Sequence, residues 1–192
     1  MGVLPDASLN PFVHISFVGL PGSGKSTIGR QLARRFGRPF LDTDHVIEQR
    51  LGTSIRAFFE REGEEAFRDI EQVVIDELTL SAEPAVLSTG GGSVLRPTNR
   101  EHLQLRTCAL YLHSTPDDVF RRLRHDQNRP LLQVADPLLR LRELYEVRDP
   151  LYRETARMVV ETGRPSVPAL VHVVAGQLQA VGLAPVSRDA PD

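Results

Sequence analysis

Eight residues, Gly19-Leu20-Pro21-Gly22-Ser23-Gly24-Lys25-Ser26, constrain this chain more than any other stretch. They fit G-x-x-x-x-G-K-[ST] at every fixed position, between an apolar run over 12–18 and an amphipathic one over 26–36. Glycines at these places let successive backbone N–H groups point at one anion with no side chain blocking the approach. A helix opening near Ser26 adds its positive end to the same spot. The pattern reads as a phosphate cradle made by Gly22, Ser23, Gly24, Lys25, Ser26 and Thr27. Lys25 would reach the outer phosphates, and the Ser26 hydroxyl would ligate Mg²⁺. The rival reading is a glycine-rich joint between strand and helix, and the flanking elements favour the cradle. The motif alone does not separate a kinase from an ATPase or GTPase.

The rest of the chain fits the same plan. Its 192 residues suit one domain with a single core. Ile28, Leu32, Ala33 and Phe36 share a helical face that stops at Gly37 and Pro39. Phe67, Ile70, Val74 and Leu78 form another helical face over 64–80, with Glu64 and Glu65 suiting the start of that helix. Short apolar runs at 39–41, 85–87, 108–112 and 158–160 read as strands, making five with the run before the cradle. Short apolar strands alternating with helices point to a parallel sheet covered on both faces. The expectation is a three-layer α/β/α sandwich with a five-stranded parallel sheet of the P-loop type. Residues 1–10 read as a loose arm, 11–181 as the domain, about 121–137 as a mobile lid and 182–192 as a disordered tail. In such sheets ligands gather beyond the carboxyl ends of the strands, and the polar motifs follow those ends.

Composition narrows the partners. A net charge of −2 gives no electrostatic case for nucleic acid or an anionic membrane. No apolar run approaches the ~20 residues that span a bilayer, and the start lacks the pattern of a secretory signal. The single cysteine, Cys108, lies in an apolar run and fits a reducing compartment. A cytoplasmic chain, monomeric and acting on a small molecule, is expected.

A kinase must also hold an acceptor hydroxyl in line with the phosphate. Asp42-Thr43-Asp44 follows the second strand. Its two carboxylates could divide the work, one holding metal-bound water and the other taking the acceptor's proton. An aspartate that merely caps the helix beginning near His45 is the competing reading.

The motifs then fall in an order that resembles the shikimate kinases. Leu41-Asp42-Thr43-Asp44 is similar to that family's acidic motif, and Gly63-Glu64-Glu65-Ala66-Phe67-Arg68-Asp69-Ile70-Glu71 to its G-E-x-x-F-R-x-x-E segment. Leu87-Ser88-Thr89-Gly90-Gly91-Gly92 resembles L-S-x-G-G-G, Arg129-Pro130-Leu131-Leu132 the lid motif, and Arg148-Asp149-Pro150-Leu151-Tyr152 the R-x-P-L-Y motif. The likeness covers about 14–170.

That resemblance implies roles. Asp44 would bind the acceptor hydroxyl as the base, and Asp42 would support Mg²⁺ through water. Arg68 and Arg148 would clamp the substrate carboxylate, with Glu71 holding Arg68. Gly90, Gly91 and Gly92 would form the turn that meets a substrate hydroxyl, and Phe59 and Phe67 would line the pocket. Arg129 would swing over the phosphates of ATP, Arg122 would lie beside the adenine, and Arg164 could border the same base. Ser88 would end near the metal. Each has a plainer reading: Arg68 and Glu71 as a surface ion pair, the phenylalanines as core, the triple glycine as a tight turn, Arg121 and Arg124 as a solvated helix face. His125 reads as a solvated lid residue. The implied reaction phosphorylates the 3-hydroxyl of shikimate. A gluconate or nucleoside monophosphate kinase, or a silent ligand sensor, would be the alternatives.

Overall fold

The computed structural model describes residues 13–124, 134–163, 165–183 and 185. The arm expected over 1–10, the core of the expected lid and most of the expected tail lie outside these residues.

Five parallel strands form the sheet: β1 (His14–Val18), β2 (Phe40–Asp42), β3 (Val86–Ser88), β4 (Thr107–His113) and β5 (Met158–Glu161), in the order β2-β3-β1-β4-β5. Side chains alternate across a strand, so each face collects its own core. Ile15, Phe17, Cys108, Leu110 and Leu112 pack with Ile28, Leu32 and Phe36 of α1 (Lys25–Phe36) and with Leu170 and Val174 of α7 (Val167–Ala180). The opposite parity sends Val18 and Tyr111 to the other face. There they meet α3 (Ile55–Leu80), α4 (Pro97–Arg106), α5 (Pro116–Leu123) and α6 (Pro137–Thr155) through Ile75, Leu103, Val119, Leu141 and Tyr152. The result is the expected three layers.

Strand order explains where a ligand can enter. From β1 the chain goes first to β2 and β3 on one side, and then to β4 and β5 on the other. The connections therefore part above β1, and a crevice opens at its carboxyl end. The glycine-rich segment occupies that place.

The sequence places the long helix at 64, whereas α3 begins at Ile55 and bends at Gly63, where φ is 85° and ψ 173°. Ser54 caps the earlier segment by accepting from the Ala57 N–H. A glycine tolerates the positive φ, so two helical segments share one element. The second segment starts with Glu64, as the sequence expects, and carries Arg68 and Glu71.

Candidate active site

The phosphate cradle is built mostly from backbone. The α2 (Thr43–Leu51) and α3 helices open on the side-chain caps of Asp42 and Ser54, but α1 opens on Gly24 with no side-chain cap. Its first-turn N–H groups are thus left for an anion. Gly24 sits at φ 97°, a conformation costly for any residue with a Cβ. Lys25 is buried at 7% exposure, and its ammonium donates to the Gly19 and Leu20 carbonyls at 2.8 Å each. These bonds hold its charge over the loop. Gly22, at φ 82°, is needed for the same reason, and a Cβ there would also lie 2.5 Å from Leu123 Cδ1. The end of α5 therefore rests directly on the cradle.

The acidic motif does two jobs at once. Asp42 Oδ1 accepts from the Asp44 and His45 N–H groups at 3.1 and 3.4 Å, which is the helix-cap reading. Its other oxygen, Oδ2, accepts from the Ser26 hydroxyl at 2.7 Å, and Ser88 Oγ lies 3.1 Å from the same hydroxyl. Cap and site residue are therefore not alternatives. Ser26, Asp42 and Ser88 converge as oxygen donors beside the cradle.

Asp44 stands on the border between two cavities. One, of about 540 Å³, runs from the cradle past Arg122 to Thr162, Gly163, Pro165 and Leu170. The other, of about 150 Å³, is lined by Asp44, Phe59, Phe67, Arg68, Glu71 and the turn Gly90–Gly92. Burial, and then the nearby Asp42 and Glu71 carboxylates, push the Asp44 carboxyl up to about 6, against a smaller opposing pull from Lys25. A carboxylate tuned there is a stronger proton acceptor than an ordinary aspartate and still ionised at neutral pH.

The small cavity explains the triple glycine. A Cβ on Gly90 would come within 2.7 Å of Asp44 Oδ1 and 3.1 Å of Glu71 Oε1, one on Gly92 within 2.3 Å of the Arg68 guanidinium, and one on Gly91 within 2.7 Å of Pro21. The turn is a place where charged side chains meet backbone closely. Thr43 Oγ1 accepts from the Gly90 N–H at 3.2 Å and fastens the turn to α2.

Arg68 donates to Glu71 at 2.7 Å and to Glu64 at 3.0 Å. With Arg68 at 8% and Glu71 at 1% exposure, this is not the surface pair of the plainer reading. Breaking a buried pair by removing one partner costs about 3–5 kcal/mol, against ~0–1 for an exposed pair. Burial raises the Glu71 carboxyl, and Arg68 offsets part of that rise. Phe67 is buried and Phe59 half-buried; their rings lie 4.6 Å apart, and Phe67 sits under the Arg68 guanidinium at 5.1 Å. They are core and cavity wall together. Arg148 lies on α6 outside the wall of the small cavity, within electrostatic reach of Glu71.

Arg122 borders the far end of the large cavity, donating to Ser114 Oγ at 3.2 Å and to Thr162 Oγ1 at 3.3 Å. Arg129, Arg164 and His125 lie outside the described residues. Sequence reasoning gave no role to Thr43, Pro21 or Tyr152. For Tyr152 the signal was its i, i+4 spacing from Arg148; the contacts of Thr43 and Pro21 with the glycine turn join residues too distant in sequence to leave one.

The family model described as shikimate kinase matches residues 21–179. The chain belongs to the shikimate kinase family. A shikimate kinase of Paracidovorax citrulli (strain AAC00-1) is 58% identical over 92% of this chain and 98% of its own length. Among solved structures, a shikimate kinase from Acinetobacter baumannii in complex with shikimate is 41% identical, with a TM-score of 0.84 over 93% of this chain and 99% of that one. A gluconokinase from Sinorhizobium meliloti 1021, 20% identical with a TM-score of 0.54 over 89% of this chain and 98% of that one, shares the fold alone. This contrast weighs against the gluconate alternative.

Proposed function

We propose that this chain transfers the γ-phosphoryl group of ATP to the 3-hydroxyl of shikimate, giving shikimate 3-phosphate and ADP. The observation that carries the reading is the position of Asp44, whose carboxylate borders both the phosphate cleft and the small cavity. The acceptor oxygen attacks the γ-phosphorus as the bond to the β-bridging oxygen breaks, and the hydroxyl proton passes to Asp44. Lys25 and the first turn of α1 offset the charge on the phosphates. Arg68 and Arg148 bind the shikimate carboxylate, a task suited to planar guanidinium forks. The Gly90–Gly92 turn offers backbone donors to a ring hydroxyl.

Mg²⁺ fits the Ser26 hydroxyl and Asp42 carboxylate, since it prefers oxygen ligands and uses one or two carboxylates together with substrate phosphates. When bound it neutralises phosphate charge. The reading includes a cytoplasmic monomer with no nucleic-acid or membrane partner, supported by the charge of −2 and the buried free Cys108. Among the described residues, no helix is long and apolar enough to cross a membrane.

The test is ADP release from purified protein with ATP and Mg²⁺, comparing shikimate, gluconate and nucleoside monophosphates. Release that depends on shikimate alone is expected. Release with another acceptor and not with shikimate would overturn the carboxylate clamp, and ATP binding without release on any acceptor would favour a silent sensor.

A further inference from the structure

Tyr152 is completely buried, and its hydroxyl sits at a junction. Its ring packs on Tyr111 with centroids 5.0 Å apart. The hydroxyl donates to the Gly91 carbonyl, in the turn that floors the small cavity. Arg148 lies one helical turn earlier on α6, at i and i+4 on the same face, with its charge within electrostatic reach of the same phenol. A phenol has one proton to donate and lone pairs to accept with, so one oxygen can serve Gly91 and Arg148 together. Pro21 of the phosphate cradle lies where a Cβ on Gly91 would stand, 2.7 Å from that position. The glycine turn is thus held between the cradle and α6, with Tyr152 as the strut on the α6 side.

We infer that Tyr152 is a positioning residue for the acceptor, fixing both the Arg148 guanidinium and the Gly91 peptide so that shikimate lies in register with the phosphate cradle. This rests on the proposed acceptor and on Arg148 binding its carboxylate. Tyr152 touches neither substrate nor phosphate; it acts through Arg148 and Gly91.

Tyr152→Phe keeps the ring and its packing on Tyr111 while removing only the hydroxyl. Tyr111→Phe is the matched control. It removes a buried phenol from the same stack, one that donates to Asp149 at 2.8 Å and, among the described residues, shares no hydrogen bond with Gly91. The expected result for Tyr152→Phe is a KM for shikimate up to about tenfold higher, with the KM for ATP unchanged, as fits loss of one buried hydrogen bond to the Gly91 carbonyl. Tyr111→Phe should leave the KM for shikimate unchanged even where it lowers the melting temperature. The double variant Tyr152→Phe with Arg148→Lys should be little worse than Arg148→Lys alone, because both act on one grip. An unchanged KM for shikimate in Tyr152→Phe overturns the inference, as does an equal rise in both tyrosine variants, which would mark general loosening of the core. Wild-type protein that leaves shikimate unphosphorylated overturns the proposed acceptor as well, so the two failures are told apart in one assay.

Discussion

The two halves of the site are made of different materials. The phosphate cradle relies on backbone, a helix end and one lysine tied to loop carbonyls. The acceptor half relies on side chains: Arg68, Glu71 and Asp44 crowd a turn that must be glycine to admit them. Backbone donors are fixed once the loop and helix form, so the cradle needs few long-range contacts to work. Desolvated charges need their partners in place, and those partners come from α2, α3 and the loop after β3. The first half should therefore resist single side-chain changes that disable the second.

The sharpest test is Asp44, which borders both halves. Asp44→Asn should lower kcat by about 10²–10⁴-fold, the usual worth of a positioned base, while calorimetry finds ATP binding intact. Lost ATP binding would mean that the halves are not separable. As the proposed base, the same carboxylate would set the pH dependence. Its raised value of about 6 means the proton-accepting form is lost as pH falls through that point, so kcat/KM should decline on the acid side near pH 6 rather than near 4.

Glu71→Ala comes next. It leaves the buried Arg68 with Glu64 as its one carboxylate partner among the described residues and should cost about 3 kcal/mol of unfolding free energy, read from denaturant midpoints, with binding of shikimate lost before binding of ATP. Arg148→Lys is milder. An ammonium cannot reproduce a two-pronged grip, and the KM for shikimate should rise about tenfold with the KM for ATP unchanged. An equal rise in both constants would erase the contrast between the halves.

The smallest effect lies far from either half. His14 Nε2 bonds the Ser81 carbonyl at 3.0 Å and Nδ1 accepts from the Ala85 N–H at 3.0 Å, an arrangement that requires the neutral ring. Burial lowers its proton affinity, against a smaller raising effect from the Ser81 carbonyl. Its contribution is present above its unfolded value of about 6.5 and is lost as pH falls through the lower folded value. Wild-type melting temperature should therefore drop on acidification from about pH 6.5 down to the folded value, and His14→Gln should flatten that part of the curve without altering either KM at neutral pH.

Legibility from sequence followed the same division. Gly19 to Ser26 could be read directly, because eight contiguous residues contain both the turn chemistry and the helix start that uses it. The alternation of short apolar runs with helical faces was enough for a parallel sheet between two layers. The helical segment before Gly63 was not read as part of α3, since its bend depends on one positive φ that spacing does not reveal.

The sequence by itself determined the cradle, the layer plan and, through the order of its motifs, the family. Tertiary structure alone decided that Arg68 and Glu71 form a buried pair, that Asp42 caps α2 with one oxygen and meets Ser26 with the other, and that Tyr152 braces Gly91 from α6. The physical reason is distance along the chain. Periodicity and turn chemistry act between neighbours, whereas burial, charge coupling and close approach to a glycine depend on which strand ends the sheet order brings together.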